Sequence, residues 1–312
     1  MSARKQALLL LLCALVELGP ASAQSGPSRP AITGISHVTF YADDLQKSEA
    51  FYTNVLGWEQ QPAADRSTGV RFFANHQQFI ELVPAPRPAM LNRLQSFGLN
   101  TSDAERLRRY LGAHGVAVPA AVTVAPDGSR YFVTHDPEGN EVEFVQLSKH
   151  AVPAPANLSK RLSTHIIHAG FVAHNRAGLD HFYKDLLGCH LYWEGAAQAG
   201  HTDWVMMQVP DGTDWIEYML YLPTTPSRGQ LASANHFSPG VVSIAELNKR
   251  LLSQGWKPSA QERPPLLGLD GKWQLDLFDP DGTRVEFMEF EPVKTPCCSS
   301  FTGPLPGPYP GW

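Results

Sequence analysis

Cysteine is scarce in this 312-residue chain, which has four, at Cys13, Cys189, Cys297 and Cys298. So few and so scattered, they exclude a disulfide framework and a cysteine-based zinc site. Positive charge is also in short supply: 25 Lys and Arg face 30 Asp and Glu, for a formal charge of -5. Such a balance describes a soluble globular protein with no electrostatic footprint for nucleic acid. Long apolar runs are missing everywhere except near the N-terminus. There Arg4 and Lys5 precede the run "ALLLLLCALV" from Ala7, and Gly19, Pro20 and "ASA" follow, ending at Ala23. Basic, apolar and small-residue regions in that order read as a signal peptide over residues 1–23, and the run falls short of the ~20 residues of a bilayer span. The expectation is an exported chain, periplasmic or extracellular after cleavage behind Ala23, with no membrane contact thereafter.

What is present is a repeat. The stretch "HVTFYADDLQKSEAFYTNVLG" from His37 lies over "HAGFVAHNRAGLDHFYKDLLG" from His168 without a gap. Each reads as an alternating strand, a turn and a helix stopped by glycine, at Gly57 and Gly188. Ser48, Phe51 and Val55 correspond to Leu179, Phe182 and Leu186, a helical spacing that predicts one buried stripe. Further on, "SFGLNTSDAERLRRYLGAHG" from Ser96 matches "HFSPGVVSIAELNKRLLSQG" from His236, and "DGSRYFVTHDPEGNEVEF" from Asp127 matches "DGKWQLDLFDPDGTRVEF" from Asp270. The Asp-Pro-x-Gly stretches predict tight turns between neighbouring strands. Four strand-helix-strand units follow, two per half. A proline-rich linker spans residues 148–163, and residues 291–312 have too little periodic apolar content to pack, so a flexible tail is expected.

In a strand, alternate residues share a face. His37 therefore stands apart from Val38 and Phe40, Glu81 from Ile80 and Leu82, and Glu143 from Val142 and Phe144. The second half repeats this with His168, Glu217 and Glu286. Polar faces of antiparallel sheets are often merely wet; here the same positions recur in both halves, which favours convergence inside a curled sheet. Two His with one or two carboxylates is a ligand type for Fe, Mn, Ni, Co or Zn, and such an ion acts as Lewis acid or template for a chelating substrate. Trp193, Trp204, Trp215, Trp256 and Trp273 crowd the second half; Trp215 shares strand parity with Glu217 and is the candidate pocket wall.

The units "ISHVTFYADDLQKSEAFYTNVLGW" and "IHAGFVAHNRAGLDHFYKDLLGC", with the endings "DPEGNEVEF" and "DPDGTRVEF", resemble the vicinal oxygen chelate superfamily, which includes glyoxalase I, fosfomycin resistance proteins and extradiol dioxygenases. The resemblance implies an α+β fold of four βαβββ units paired into two cup-shaped domains, residues 33–147 and 164–290. It also implies a divalent metal held by the first and last strands. Carried over, the ligands fall on His168, Glu217, His236 and Glu286 if units pair within halves. If units swap between halves, His37 and Glu81 replace His168 and Glu217. Short connections favour pairing within halves. Ser96 occupies the His236 position, and a serine hydroxyl is a poor ligand, so the first half is expected to be degenerate.

Three activities compete on this reading. One is a glyoxalase-like lyase or isomerase in which Glu217 or Glu286 acts as base on a small substrate chelated through adjacent oxygens. Another is an Fe(II) dioxygenase using a triad of His168, His236 and Glu286. It is disfavoured because Asp276 stands where the ring-cleaving relatives carry tyrosine. The third is a metal-free protein that binds or sequesters a small molecule.

Overall fold

The computed structural model describes residues 28–62, 69–87, 90–148 and 160–309; the signal-peptide stretch lies outside these residues. Among the described residues, sixteen strands form two eight-stranded sheets that each curl into a cup. In the first half the chain runs β1 (Ile32–Ala42), α1 (Leu45–Ala50), β2 (Glu59–Pro62), β3 (Val70–Phe73) and β4 (Phe79–Pro84). A second unit follows: β5 (Leu94–Thr101), α2 (Ala104–Ala113), β6 (Thr123–Val124), β7 (Arg130–His135) and β8 (Glu141–Gln146). The sheet order is β2-β3-β4-β1-β5-β8-β7-β6, so the two units of this half pair with each other through β1 and β5.

The second half repeats the plan with β9 (Ile166–Val172), α3 (Arg176–Leu179), β10 (His190–Gly195), β11 (Trp204–Gln208) and β12 (Trp215–Met219). After α4 (Arg228–Ala234) come β13 (His236–Val241), α5 (Ile244–Ser253), β14 (Leu266–Leu267), β15 (Trp273–Phe278) and β16 (Arg284–Glu289). Its order is β10-β11-β12-β9-β13-β16-β15-β14. Units thus pair within each half, and His37 and Glu81 remain in the first sheet, away from His236 and Glu286.

Both first helices change pitch: α1 runs on as a π-helix, Phe51–Val55, and α3 as Asp180–Leu186. The wider turn shifts the buried face by a residue. Tyr52 and Tyr183 become fully buried, while Phe51 and Val55, expected in the buried stripe, are only half-buried. Each tyrosine reaches the other half, where Tyr52 Oη donates to Asp279 Oδ2 at 3.3 Å and Tyr183 Oη donates to Asp136 Oδ2 at 3.0 Å. These acceptors belong to the two Asp-Pro-x-Gly turns, whose aspartates also accept backbone N–H groups of their own turns. Phe97 stacks on Phe171 at 5.3 Å and Phe40 approaches Phe237 at 6.1 Å, so one apolar core runs through both halves. Each such ring contributes about 1.5–3 kcal/mol by leaving water.

Residues 291–309, expected from composition to be a flexible tail, run along the second sheet with specific partners. Val293 N donates to Gly271 O at 2.9 Å, Cys297 N to Leu269 O at 2.7 Å and Thr302 N to Tyr192 O at 3.1 Å. Trp193 Nε1 donates to Cys297 O at 3.1 Å, and Gln208 Nε2 to Pro304 O at 2.9 Å. Backbone donors and acceptors, which composition does not reveal, do the anchoring. Cys297 and Cys298 are joined as a disulfide, and Cys189 is buried and free.

Candidate metal centre

Strand register brings the second-half residues together. His168 on β9 is level with Trp215 on β12, and Gly170 with Glu217. Across the antiparallel β9–β13 pair, His236 is opposite Gly170 and Ser238 opposite His168. Glu286 arrives from β16, which runs parallel to β13. One ligand atom each from His168, Glu217, His236 and Glu286 lies within 4.8 Å of all the others, and all four residues are buried.

The distances are those of a ligand shell. His168 Nε2 and His236 Nε2 are 2.9 Å apart. Glu286 Oε2 stands 3.2 Å from His168 Nε2 and 3.1 Å from His236 Nε2, and Glu217 Oε2 stands 3.5 Å and 3.3 Å from the same atoms. Bonds of about 2.0–2.2 Å to one ion put neighbouring ligand atoms roughly 3.0–3.5 Å apart. His236 Nδ1 donates to Ala234 O at 2.8 Å, which leaves the Nε2 lone pair pointing inward, as a metal-binding imidazole requires. Without an ion, protons on Nε2 must bridge the imidazoles and carboxylates; a divalent ion can take their place among neutral imidazoles and ionised carboxylates. A divalent ion therefore fits this donor set.

Local structure sets these orientations. A Cβ at Gly170 would lie 2.1 Å from His236 Cε1, so only glycine lets that ring lie across β9. Helix α4 begins with a capping box in which Ser227 accepts from Gln230 N and the Gln230 side chain accepts from Ser227 N. Its C-terminal carbonyls, which have no partner in the helix, serve the site. Ala234 O holds His236, and Ser233 O accepts from Arg284 Nε at 2.8 Å.

Arg284 is the charge that balances the cluster. It is 3.1 Å from Glu286 Oε1, 3.1 Å from His236 Nε2 and 3.7 Å from Asp276 Oδ1. Burial alone would raise the Glu286 carboxyl, but the Arg284 guanidinium and the bonds from both imidazoles hold it well below the usual range. Burial pushes His168 down, so it is neutral. His236 is pushed up, because its bonds to Glu217 and Glu286 outweigh burial and the Arg284 charge. Sequence reasoning missed Arg284, although it shares a strand face with Glu286 two residues later.

A cavity of about 230 Å³ opens onto the cluster, lined by Glu217, Glu286, Arg284 and Asp270 and walled by Trp193, Trp204 and Met206. Trp215 is not among its lining residues. It is fully buried behind the ligands, stacking on the His168 ring at 4.8 Å, so Trp193 and Trp204 take the wall position expected of it.

The first half holds the same positions without the centre. Ser96 Oγ donates to Glu143 Oε1 at 2.9 Å, His37 Nε2 lies 3.6 Å from that oxygen, and Glu81 pairs with Arg71 at 3.0 Å. The cavity there is about 50 Å³. Thr39, opposite Ser96, occupies the place that Gly170 holds opposite His236. Ser96 and Thr39 in place of His236 and Gly170, and Arg71 beside Glu81 where Met206 stands beside Glu217, separate the two halves.

The fold of the whole chain also resembles known structures. The 2,3-dioxygenase LapB from Pseudomonas sp. KL28 superposes on the chain with a TM-score of 0.62 at 17% identity, covering 85% of this chain and 98% of that one. The Mn(II)-bound glyoxalase from Novosphingobium aromaticivorans gives 0.62 at 20% identity, covering 83% of each chain. Homoprotocatechuate 2,3-dioxygenase from Brevibacterium fuscum, in complex with 3,4-dihydroxyphenylacetate, gives 0.63 at 16% identity, covering 84% of this chain and 82% of that one. At these identities the likeness is one of fold. Comparison with curated proteins gave no match. The family model for the Glyoxalase/Bleomycin resistance protein/Dioxygenase superfamily matches residues 34–144 and 166–287, one segment in each half. The chain belongs to that superfamily, as a tandem member with two glyoxalase-like cups.

Proposed function

We propose that the second half is a divalent-metal enzyme, a glyoxalase-like lyase or isomerase acting on a small molecule that chelates through two adjacent oxygens. The observation that carries this reading is the buried set of His168, Glu217, His236 and Glu286 at the wall of a cavity of substrate size. When bound, the ion supplies Lewis acidity and a template for the two oxygens. His168 and His236 hold their Nε2 atoms inward, and Arg284 grips Glu286 through Oε1, leaving Oε2 beside the imidazoles. Among the described residues no guanidinium pairs with Glu217, which makes it the better proton acceptor of the two carboxylates. Trp193, Trp204, Met206 and Met219 exclude water from the reacting atoms. Asp276, tied to Arg284 where ring-cleaving relatives carry tyrosine, favours this reading over a dioxygenase.

Assay of the metal-loaded protein on α-hydroxy carbonyl compounds and on catechols, with an oxygen electrode, tests the proposal. Conversion without oxygen uptake, lost in Glu217→Gln with the metal retained, is the expected result. Stoichiometric oxygen consumption on a catechol would replace it with the dioxygenase reading, and binding without turnover would leave a sequestering protein. Export belongs to the same proposal and rests on the Arg4 to Ala23 pattern; the mature chain should begin at Gln24 on N-terminal sequencing of secreted protein.

A further inference from the structure

We propose that Asp270 is a catalytic residue of this site, the proton acceptor for a substrate hydroxyl whose oxygen binds the metal. The inference rests on the metal-site reading above. Asp270 lies in the turn between β14 and β15, where Gly268 N donates to Lys272 O at 2.8 Å and Gly271 takes a φ of +81°. One carboxylate oxygen serves that turn: Oδ1 accepts from Lys272 N at 3.1 Å. The other, Oδ2, is buried without a hydrogen-bond partner, in a residue only 2% exposed. Leaving such an oxygen unpaired is destabilising, because it has given up water and gained nothing in return. Asp270 lines the same cavity as Glu217 and Glu286, so a substrate there supplies the missing partner once the carboxylate turns Oδ2 toward it.

The repeat supplies an internal control. Asp127 occupies the corresponding turn of the first half and makes the same bond, from Ser129 N at 2.8 Å. It is only half-buried, beside a sheet that lacks a complete ligand set. Turn formation therefore accounts for an aspartate here but not for its burial. Burial in the second half comes from the residues after β16, since Val293 N and Cys297 N bond to the carbonyls of Gly271 and Leu269 on either side of Asp270. Lys272, where the first half has Ser129, is also buried; its Nζ donates to Phe290 O at 2.8 Å and lies over the rings of Trp215 and Phe301. Among the described residues no ion pair joins Lys272 to Asp270, so neither of its carboxylate oxygens is neutralised by direct contact.

The other carboxylates of the cavity region each have a charged or ring-nitrogen neighbour within 4 Å, although Asp276 Oδ1, like Asp270 Oδ2, has no hydrogen bond. Glu217 and Glu286 face the imidazoles, and Asp276 pairs with Arg284. The charged and titratable groups around Asp270 are Lys272 on β15, Glu286 on β16, Glu217 on β12 and Tyr192 on β10. Burial pushes Asp270 up to about 7, opposed by Lys272 and reinforced by Glu286 and Glu217. A base in that range exchanges protons readily at neutral pH. In the proposed step the substrate O–H bond breaks, its electron pair stays on the chelating oxygen, and an O–H bond forms at Asp270 Oδ2. The proton returns to that oxygen when the product leaves.

The probe is 4-nitrocatechol, a chromophoric vicinal diol whose visible absorption separates its monoanion from its dianion, with zinc-loaded full-length protein. Zinc stoichiometry and circular dichroism are measured first for each variant. The expected result is that wild type binds the probe as dianion at pH 7. Asp270→Asn should keep its zinc and fold but bind at least about tenfold more weakly and as monoanion, with the gap closing as pH rises. Asp270→Glu should restore the dianion. Dianion binding by Asp270→Asn at wild-type affinity overturns the proposal, and so does loss of zinc or fold in that variant, which would make Asp270 a purely structural turn residue. If wild type takes up no zinc, the metal-site reading fails at the first step and the inference falls with it.

Discussion

Replacing Gly170 by alanine tests how the imidazole of His236 is held. The added Cβ would stand 2.1 Å from His236 Cε1, 2.5 Å from Nδ1 and 2.9 Å from Nε2. Carbon atoms in contact rest about 3.5–4.0 Å apart, so the ring has to retreat by more than about 1 Å or β9 and β13 must separate. Retreat is resisted from behind, because Nδ1 is bonded to Ala234 O at the end of α4. Overpacking of this kind costs about 1–3 kcal/mol in stability. The displaced Nε2 also leaves its place 2.9 Å from His168 Nε2, and disturbing the support of a ligand lowers metal affinity about 10–100-fold. Thermal unfolding of metal-free protein and zinc competition against a chromophoric chelator read the two effects separately. An alanine variant with wild-type zinc affinity and an unchanged unfolding midpoint would refute the reasoning.

Ser96→His alone should lower stability and add no second metal site, because Thr39 blocks the ring; adding Thr39→Gly should recover the lost midpoint in thermal melts. Burial lifts Asp279 from 3.8 to about 7, so its contribution to stability is complete below pH 3.8 and is lost as pH rises through about 7. Asp279→Asn cannot ionise, and the stability difference between wild type and this variant, from urea titrations at several pH values, should shift in favour of the variant across that window. Phe301→Ala should cost about 2 kcal/mol and let the Lys272 ammonium, now pushed down to about 8 by burial, return toward 10.5, as followed by NMR titration of its Nζ resonance.

The centre was legible because three signals coincide. Strand alternation put His168, Glu217 and Glu286 on the inner face, the repeat matched His236 to Ser96, and the resemblance to the vicinal oxygen chelate superfamily marked that position as a ligand. The same alternation would have found Arg284, two residues before Glu286. The role of Gly170 becomes visible only when cross-strand register sets it opposite His236, which no single strand reveals. The π-helical turns were hidden, since Phe51 and Val55 fit an ordinary helical stripe until the wider turn carries Tyr52 inward. Helix α4 had a local signature, Ser227 followed by Gln230, within a stretch read as connection. The anchoring of residues 291–309 depends on backbone groups, so the lack of periodic apolar residues pointed the wrong way there.

Metal analysis of the purified mature protein by mass spectrometry tests the central claim most directly, with His236→Ala and Glu143→Gln beside it. The account predicts one divalent ion per chain in wild type and in Glu143→Gln, and none retained by His236→Ala. Metal in wild type that survives in His236→Ala but is lost in Glu143→Gln would place the ion in the first half and contradict the account.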